Sequence, residues 1–565
     1  MDTQRLILFV ALSFLSLMLW DAWQLEQGAG QPQLSQAEQQ HAQTFSVPVA
    51  PEARTVDIAT GGGVPRVSAP EAEQSGQPRV VAESEMRASG TPIHVETDLL
   101  SVIINSEGGD LRQVDLRQHG QDSEHKNIPF RLMSEDDQFF VAQTGIMGGK
   151  GTVKSSYPDH HAIYEVEQTN FVMAGEEELQ VPMVWHDDAN GIKITKTYIF
   201  HHNSYKIDVV YHVENSGTTT WKGGLYGQLL RNDQTPEAEN SFIYTYTGGV
   251  TYTNSEHYQK VDFDEMANRA PIRNADKGWV AMIQHYFLAA VVPDSNLKPT
   301  LYTDQQSSGH YAIGAILPVV SVPAGESGDL AIQLYTGPKD QERLELLAEG
   351  LELTVDYGWL TFLAQPLFWI LNEIQDVVSN WGLSIILLTI LIKLVFFKLS
   401  ETSYRSMARM RKLSPRLTSL KERYGDDRQK MNEAMMKIYR EEKVNPMGGC
   451  LPILVQIPVF IALYWVLLES VEIRQAPFML WIQDLSAKDP YYILPLLMGG
   501  SMLIQQRLNP APIDPIQQKV MMVLPVVFTV FFAFFPAGLV LYWVVNNVIS
   551  ISQQWYITKK IEAAG

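Results

Sequence analysis

The sequence contains a single cysteine and comparatively few positive charges. Cys450 is alone among 565 residues, which excludes an intrachain disulfide framework and a metal site built from several cysteines. Lysine and arginine number 43 against 63 aspartate and glutamate residues, so the net charge is −20. Because phosphate binding requires a basic surface, this balance argues against nucleic acid as a substrate. We expect Cys450 to be a buried thiol.

Motifs of catalysis are also scarce. The glycine-rich run at residues 145–151 lacks the spacing of a P-loop and the Ser or Thr that would follow it. The histidine segments at residues 160–161, 186–188 and 201–202 have no second metal-ligand motif nearby, and we expect exposed loops there. The sequence therefore predicts a protein that is not an enzyme and has no cofactor and no metal.

The negative charge belongs to the first part of the chain. Residues 1–356 hold 23 Lys and Arg against 48 Asp and Glu, whereas residues 399–449 hold 12 against 7. The remaining residues are balanced. We therefore predict an acidic exported domain followed by a part of different character that contains a small basic block.

The N-terminus combines an apolar run with a polar segment. Residues 6–20 carry no charge, which is typical of either a signal peptide or a short anchor. Trp20 and Trp23 leave no small-residue cleavage site and suit a membrane–water interface. We predict a transmembrane anchor at residues 1–23. Residues 24–90 are rich in Gln, Ala, Glu, Ser, Pro and Gly, and this composition predicts a disordered linker.

Short alternating runs separated by turn signals begin at about residue 91. Examples are residues 100–104, 193–200, 205–213 and 286–292, each followed by Gly, Asn or Pro. Many short strands of this kind indicate a large β-sandwich, which we place at residues 91–337.

The chain after residue 338 becomes helical and apolar. Leu344, Leu347 and Leu351 recur at helical spacing, and a second helix at residues 360–378 carries Glu373 and Asp376, so we predict amphipathic helices in the membrane interface at residues 338–378. Five apolar segments follow, and several of them are near the lower limit of ~17 residues for a transmembrane helix. We predict spans at residues 381–399, 451–471, 491–506, 520–535 and 539–555, inside a membrane core at 379–555.

The distribution of positive charge predicts the topology. With the anchor there are six spans, so both termini lie on one side of the membrane. The basic segment at residues 405–443 and the lysines of the C-terminal tail at 556–565 place that side in the cytoplasm. The acidic β-sandwich then lies in the periplasm of a bacterium. The predicted fold is an α-helical polytopic membrane protein with a large periplasmic β-sandwich domain.

Lys393 is the most informative residue of the membrane core. It lies inside the apolar run 388–397, where a cation costs roughly 2.5–3.5 kcal/mol on insertion scales. Its side chain either faces a hydrated cavity or a partner, or reaches back to the cytoplasmic interface.

Other polar side chains also occur at membrane depth. Thr389 and Gln456 are two of them, and the last span adds Asn546, Asn547 and Ser550. They either line a hydrophilic pocket together with Lys393 or form hydrogen bonds between helices.

A basic segment separates the first two spans of the core. Residues 400–444 are predicted to form a hairpin of two helices with a break at residues 424–427. The first helix has a stripe of Met and Leu that includes Met407 and Met410, and this stripe packs against the second helix or accepts apolar clients. The basic residues beside it are candidates for binding anionic lipid or ribosomes: Arg405, Arg409, Arg411, Lys412 and Arg416.

Several motifs of the membrane half closely resemble the YidC insertases of Gram-negative bacteria, a branch of the YidC/Oxa/Alb family. They are Tyr357-Gly358-Trp359, Gln365-Pro366, Asn380-Trp381-Gly382, Asn445-Pro446-Met447, Pro490-Tyr491-Tyr492 and Pro536-Ala537-Gly538. The resemblance covers the whole membrane half, and the long preceding β-domain is similar to that of the Gram-negative branch.

This resemblance implies a five-helix insertase core around a positively charged groove that is open to the cytoplasm and to lipid. It implies groove residues at Lys393, Thr389, Gln456, Tyr542 and Asn546. Lys393 replaces the arginine common in the family, which keeps the charge but loses the planar five-donor fork. The β-domain is expected to be a supersandwich similar to sugar mutarotases.

The function that the resemblance implies is insertion of nascent membrane proteins into the inner membrane, with a chaperone role beside the Sec translocon. Nascent chains, the Sec translocon, ribosomes and membrane lipids are the implied partners. Two alternatives remain open from the sequence. One is a solute transporter that uses Lys393 as a counter-charge, and the other is a membrane-tethered carbohydrate-active enzyme that uses the β-domain.

Overall fold

The computed structural model describes residues 56–58, 65–67, 90–148, 157–234, 245–268, 273–424, 427–442, 451–509 and 515–563. The predicted anchor at 1–23, Cys450, most of the predicted linker and the last two residues of the predicted tail lie outside the described residues.

The strands lie in the region predicted to be β-structure, apart from two strands of three residues each within the predicted linker at residues 24–90. They are β1 (Val56–Ile58), β2 (Pro65–Val67), β3 (Pro92–Glu96), β4 (Leu100–Asn105), β5 (Asp110–Gly120), β6 (Pro129–Met133), β7 (Phe140–Gly148), β8 (Asn170–Val172), β9 (Glu178–Asp187), β10 (Ile192–His201), β11 (Lys206–Asn215), β12 (Trp221–Arg231), β13 (Gly248–Thr253), β14 (His257–Val261), β15 (Arg273–Asn274), β16 (Gly278–Ile283), β17 (Phe287–Val292), β18 (Thr300–Gln305), β19 (Tyr311–Ile316), β20 (Val320–Val322) and β21 (Ser327–Pro338).

Two large sheets form the domain. One has the order β14-β13-β16-β17-β21-β11-β10-β9, and the other has the order β15-β18-β19-β12-β7-β5-β4-β3-β8, with β6 on β5 and β20 on β12. Neighbouring strands are antiparallel except for β3 and β8. The short strands β1 and β2 pair with each other.

The two sheets pack face to face around one apolar core, to which buried side chains of both contribute. In β10 and β11 every second residue is buried, as expected of strands with one face against a core. The Thr144 hydroxyl on β7 lies 2.9 Å from the Tyr211 hydroxyl on β11 and so links the two sheets. The predicted β-sandwich is confirmed.

The sandwich core contains ionisable groups. Lys196 and Asp110 are fully buried, and burial lowers the pKa of the lysine to about 7 and raises that of the aspartate to about 6. The Lys196 ammonium donates to the Gly108 carbonyl at 2.9 Å. The prediction of an exposed loop is wrong for His160, which is buried with its Nδ1 2.6 Å from the Tyr226 hydroxyl. It is also wrong for His186 and His201, which lie on β9 and β10.

The remaining elements are helices. They are α1 (Phe263–Asn268), α2 (Gln341–Leu347), α3 (Thr361–Val378), α4 (Trp381–Val395), α5 (Phe397–Tyr424), α6 (Arg428–Glu441), α7 (Leu451–Glu469), α8 (Ile493–Leu508), α9 (Pro515–Phe532) and α10 (Ala537–Ala563), with 3-10 turns at Leu351–Thr354, Gly358–Leu360 and Val471–Ile473.

Helices α3, α4, α7, α8, α9 and α10 share one apolar core. Within the described ranges, no single helix has both the length and the hydropathy that a membrane crossing requires. The helical segments Trp381–Val395 and Phe397–Leu413 have the required length and hydropathy only when they are taken together. These two helices are bent by 68°. The helix within the predicted span at residues 381–399 therefore ends at Val395, and the chain bends before the predicted end of the span.

The hairpin prediction is confirmed. Helices α5 and α6 pack through a small apolar cluster around the buried Leu413 and Leu417, to which Met410, Met435 and Ile438 contribute. The predicted amphipathic helix that includes Leu344 is shorter than expected, because α2 ends at Leu347 and Leu351 begins a 3-10 turn.

The β-sandwich is joined to the helical part by polar contacts. Lys339, after β21, forms a buried ion pair with Glu469 at the end of α7, with Nζ 3.2 Å from Oε2. His285 Nε2 lies 2.9 Å from the Leu468 carbonyl oxygen. The Arg474 guanidinium donates to the Gly120 carbonyl at 2.7 Å. The sandwich and the helices are therefore in direct contact at this junction.

Candidate functional site

Helix α4 brings Lys393 into the helical bundle. The helix begins where the Asn380 side chain accepts a hydrogen bond from the Leu383 amide at 2.9 Å, an N-cap that satisfies a free donor of the first turn. Thirteen positions later the Lys393 side chain is only 5% exposed. Its direction is inward, because its ammonium contacts side chains of α7 and α10.

The Lys393 ammonium makes two hydrogen bonds to neutral oxygen atoms. It donates to the Ser550 hydroxyl at 2.8 Å and to Gln456 Oε1 at 3.3 Å. A hydrogen bond to a charged group contributes roughly 1.5–3 kcal/mol. The free energy contributed by two such bonds is therefore comparable with the free-energy cost of placing the lysine at membrane depth.

Gln456 extends the cluster to two further residues of α10. Its Nε2 donates to Asn546 Oδ1, and it lies 3.5 Å from the Tyr542 hydroxyl. Tyr542 and Asn546 are both buried. Four of the five residues predicted for the groove are thus connected by hydrogen bonds, through three helices that are distant in sequence.

Thr389 stands apart from this network. It is buried one helical turn before Lys393, and its hydroxyl donates to the Ile385 carbonyl of its own helix at 2.6 Å. The i, i+4 spacing places it on the same face of α4 as Lys393. The Thr389 hydroxyl is therefore near Lys393 along the helix but forms its hydrogen bond within α4.

The cluster contains a cation without an anion. Among the residues that the structure describes, no carboxylate lies within 4.0 Å of the Lys393 ammonium. Every acceptor that it contacts is a neutral amide or hydroxyl oxygen. A buried cation in a protein is normally paired with an anion. Because the contacts of the Lys393 ammonium are all neutral, it can still pair with one negatively charged group.

Ser550 belongs to the site although the sequence singled it out only as one polar residue of the last span. Its hydroxyl donates to the Asn546 carbonyl at 2.7 Å and accepts from Lys393. Ser550 follows Asn546 by four residues, and this spacing on one helix face is the signal that could have identified it.

The residues predicted for docking clients or ribosomes lie on α5. Met410 packs into the hairpin cluster, and the Arg405 guanidinium lies 2.6 Å from Glu401 on the same helix. Arg409 and Arg411 are exposed, and Met407 is half-buried. Their docking role remains a prediction.

The described part of the chain contains no group of three or more His, Cys, Asp or Glu side chains arranged to hold a metal ion. The fold and the site together define a class: a helical bundle with a lysine-centred polar cluster and a β-sandwich domain in contact with the bundle.

Comparisons with known proteins identify the family within this class. Family models match over nearly the whole described length, one described as the YidC periplasmic domain at residues 92–370 and one described as the 60Kd inner membrane protein at residues 373–564. The chain belongs to the YidC family of membrane protein insertases.

Individual relatives are similar over the full length. The membrane protein insertase YidC of Methylobacillus flagellatus is 50% identical, with 100% of this chain and 98% of the relative covered. That of Nitrosococcus oceani is also 50% identical, and both chains are covered completely. A crystal structure described as an active YidC insertase has 18% identity and a TM-score of 0.38, covering 83% of this chain and 93% of the other.

Proposed function

We propose that this chain is a membrane protein insertase and chaperone that moves hydrophobic segments of nascent proteins into the inner membrane. Its family membership supports this function. The single observation that carries the mechanism is the Lys393 ammonium, which is buried, held only by neutral acceptors and without a carboxylate in the described residues.

In the proposed mechanism, Lys393 attracts the hydrophilic flank of an incoming segment. At an effective dielectric constant of about 20, two unit charges 4 Å apart attract by about 4 kcal/mol. Neutral groups such as Gln456 and Asn546 replace part of the water around the flank. The flank therefore enters a polar environment inside the bundle, which shortens the apolar distance that it must cross.

The apolar part of the client then moves along the lipid-facing surfaces of α7 and α9. These carry exposed apolar side chains, among them Val455, Ile457, Val526 and Val530. Transfer of the client into lipid supplies roughly 0.8 kcal/mol for each buried methylene group. The driving force is therefore solvent transfer, and the mechanism requires no nucleotide.

The proposed topology follows the positive charges. Six spans, with both termini in the cytoplasm and the β-sandwich in the periplasm, place the hairpin of α5 and α6 at the cytoplasmic entrance. Arg409 and Arg411 are exposed there and are available to ribosomes or anionic lipids. The Sec translocon is a further proposed partner.

Substitution of Lys393 tests the proposed function. We expect Lys393→Arg to retain insertion of a short-tailed client with an acidic flank, because the charge remains. Lys393→Glu should reduce insertion about tenfold or more, since repulsion replaces attraction. Lys393→Gln should have an effect that varies with the client. The measurement is protease protection of the client in vesicles after depletion of the native protein.

The matched control is Lys398→Gln. Lys398 lies five residues after Lys393, and its side chain is 90% exposed. We expect normal insertion from this variant. Full activity of Lys393→Glu on the acidic client, with normal amounts of protein in the membrane, would contradict the proposal.

A further inference from the structure

We infer that Ser550 is a positioning residue for the Lys393 ammonium, and that Ser550 and Gln456 together leave one N–H of that ammonium for a single oxygen of a client carboxylate. This inference rests on the proposed function and adds a specific geometry to it.

The hydroxyl of Ser550 has a fixed direction. It donates its hydrogen to the Asn546 carbonyl at 2.7 Å, four residues earlier on α10. The oxygen lone pairs are then available as acceptors, and one of them receives the Lys393 N–H at 2.8 Å. Ser550 is only 4% exposed, so water does not compete freely for this position.

Gln456 supplies the second acceptor with a fixed orientation. Its Nε2 donates to Asn546 Oδ1, and this bond turns its Oε1 toward Lys393 at 3.3 Å. Asn546 thereby orients both acceptors, one through its backbone carbonyl and one through its side chain.

The number of N–H donors on the Lys393 ammonium determines which group of the client it can bind. A lysine ammonium has three N–H donors and no acceptor. Ser550 and Gln456 take two of them, and no described residue takes the third. One free donor binds one oxygen, whereas an arginine fork would bind both oxygens of a carboxylate. The site is therefore built for a single-point contact with an acidic side chain of the client, which can form and break as the client passes.

The test measures insertion of two clients by Ser550→Ala. One client has an aspartate in its translocated flank, and the other has asparagine at the same position. We expect about tenfold slower insertion of the aspartate client, because a hydrogen bond to the charged group is lost. The asparagine client should change by less than about twofold. Ser550→Thr, which retains the hydroxyl, should restore insertion of the aspartate client.

Ser552→Ala is the matched control. Ser552 is two residues further along α10, is exposed, and donates to the Val548 carbonyl at 2.8 Å in the same way. We expect no effect on either client. In addition, Ser550→Ala should add little to the defect of Lys393→Gln, because both changes act on the same contact.

Two results would overturn the inference. Equal loss for both clients would assign Ser550 a merely structural role. Additive defects of Ser550→Ala and Lys393→Gln would show that Ser550 acts independently of the ammonium. Either result leaves the proposed function standing if Lys393→Glu still fails, so the two failures are distinguishable.

Discussion

Outside the polar cluster, Lys339 and Glu469 form a buried ion pair at the junction of the two parts of the molecule. Both side chains are less than 10% exposed, and Lys339 also donates to the Thr354 carbonyl at 3.3 Å. Charges that are removed from water in this way are stable only while paired. The pair connects the end of the β-sandwich with the end of α7.

We predict that Lys339→Met or Glu469→Gln alone lowers the free energy of unfolding by about 3–5 kcal/mol, because each leaves a buried charge without its partner. The double variant Lys339→Met with Glu469→Met should recover most of the loss. Chemical denaturation in detergent, followed by tryptophan fluorescence, measures both.

Lys298→Met is the control for this prediction. Lys298 pairs with Asp276 at 2.6 Å, but both side chains are more than half exposed. We expect no measurable change from this variant. A similar loss from the buried pair and the exposed pair would contradict the account.

Single residues also show what the sequence could and could not predict. Lys196 lies on the same inward face of β10 as Ile194 and Tyr198, so the alternation of side chains along the strand could have predicted its burial. His160 could not be predicted in this way. Its partner Tyr226 lies 66 residues away, and only the packed sheets bring the two side chains together.

At the scale of elements, the bend between α4 and α5 had no sequence signal. No proline or glycine occurs at residues 391–399. The break is set by Phe396, whose φ of −89° and ψ of 9° leave the helical region while its N–H still reaches the Ile392 carbonyl. Periodicity therefore predicted the helices but not their mutual angle.

The start of α4 depends on close packing against the loop between α7 and α8. A Cβ at Gly382 would lie 2.1 Å from Cδ2 of Phe478 and 2.8 Å from its Cβ, so the ring cannot move away without a shift of the loop. We predict that Gly382→Ala lowers the free energy of unfolding by about 1–3 kcal/mol, measured by denaturation in detergent.

Gly500→Ala is the matched control, because a Cβ at Gly500 on α8 has no heavy atom within 4 Å. Alanine favours a helix over glycine by up to about 1 kcal/mol, so this variant should be neutral or slightly stabilising. Equal effects of the two substitutions would show that the contact with Phe478 is unimportant.

At the scale of the whole molecule, two histidines make the junction sensitive to acid. Burial, together with the nearby arginines Arg474 and Arg343, lowers the pKa of His119 to about 4. Burial, followed by the charge of Lys339, lowers the pKa of His285 to about 3. Both histidines are neutral in the folded protein at neutral pH.

This depression of the pKa predicts a loss of stability in acid. The unfolded chain binds protons below pH 6.5, whereas the folded histidines bind them only near pH 4 and 3. Stability is therefore complete above pH 6.5 and falls as the pH decreases, by about 1–2 kcal/mol for each histidine at pH 5.

The measurement is the midpoint of thermal unfolding between pH 7.5 and pH 5. The double variant His119→Phe with His285→Gln should flatten the decline, since neither replacement titrates in this range. His94→Gln, at an exposed position of β3, should leave the decline unchanged. A decline that is equally steep in the double variant and the native protein would assign the acid sensitivity to other groups.

A charge exchange between Lys393 and the client tests whether the ammonium attracts the client's flank. Native protein and Lys393→Glu are each presented with two clients that differ only in having aspartate or lysine in the translocated flank. If Lys393 attracts the flank, the native protein inserts the aspartate client faster and Lys393→Glu inserts the lysine client faster. If both proteins rank the two clients in the same order, the charge of Lys393 does not guide the client, and the account fails.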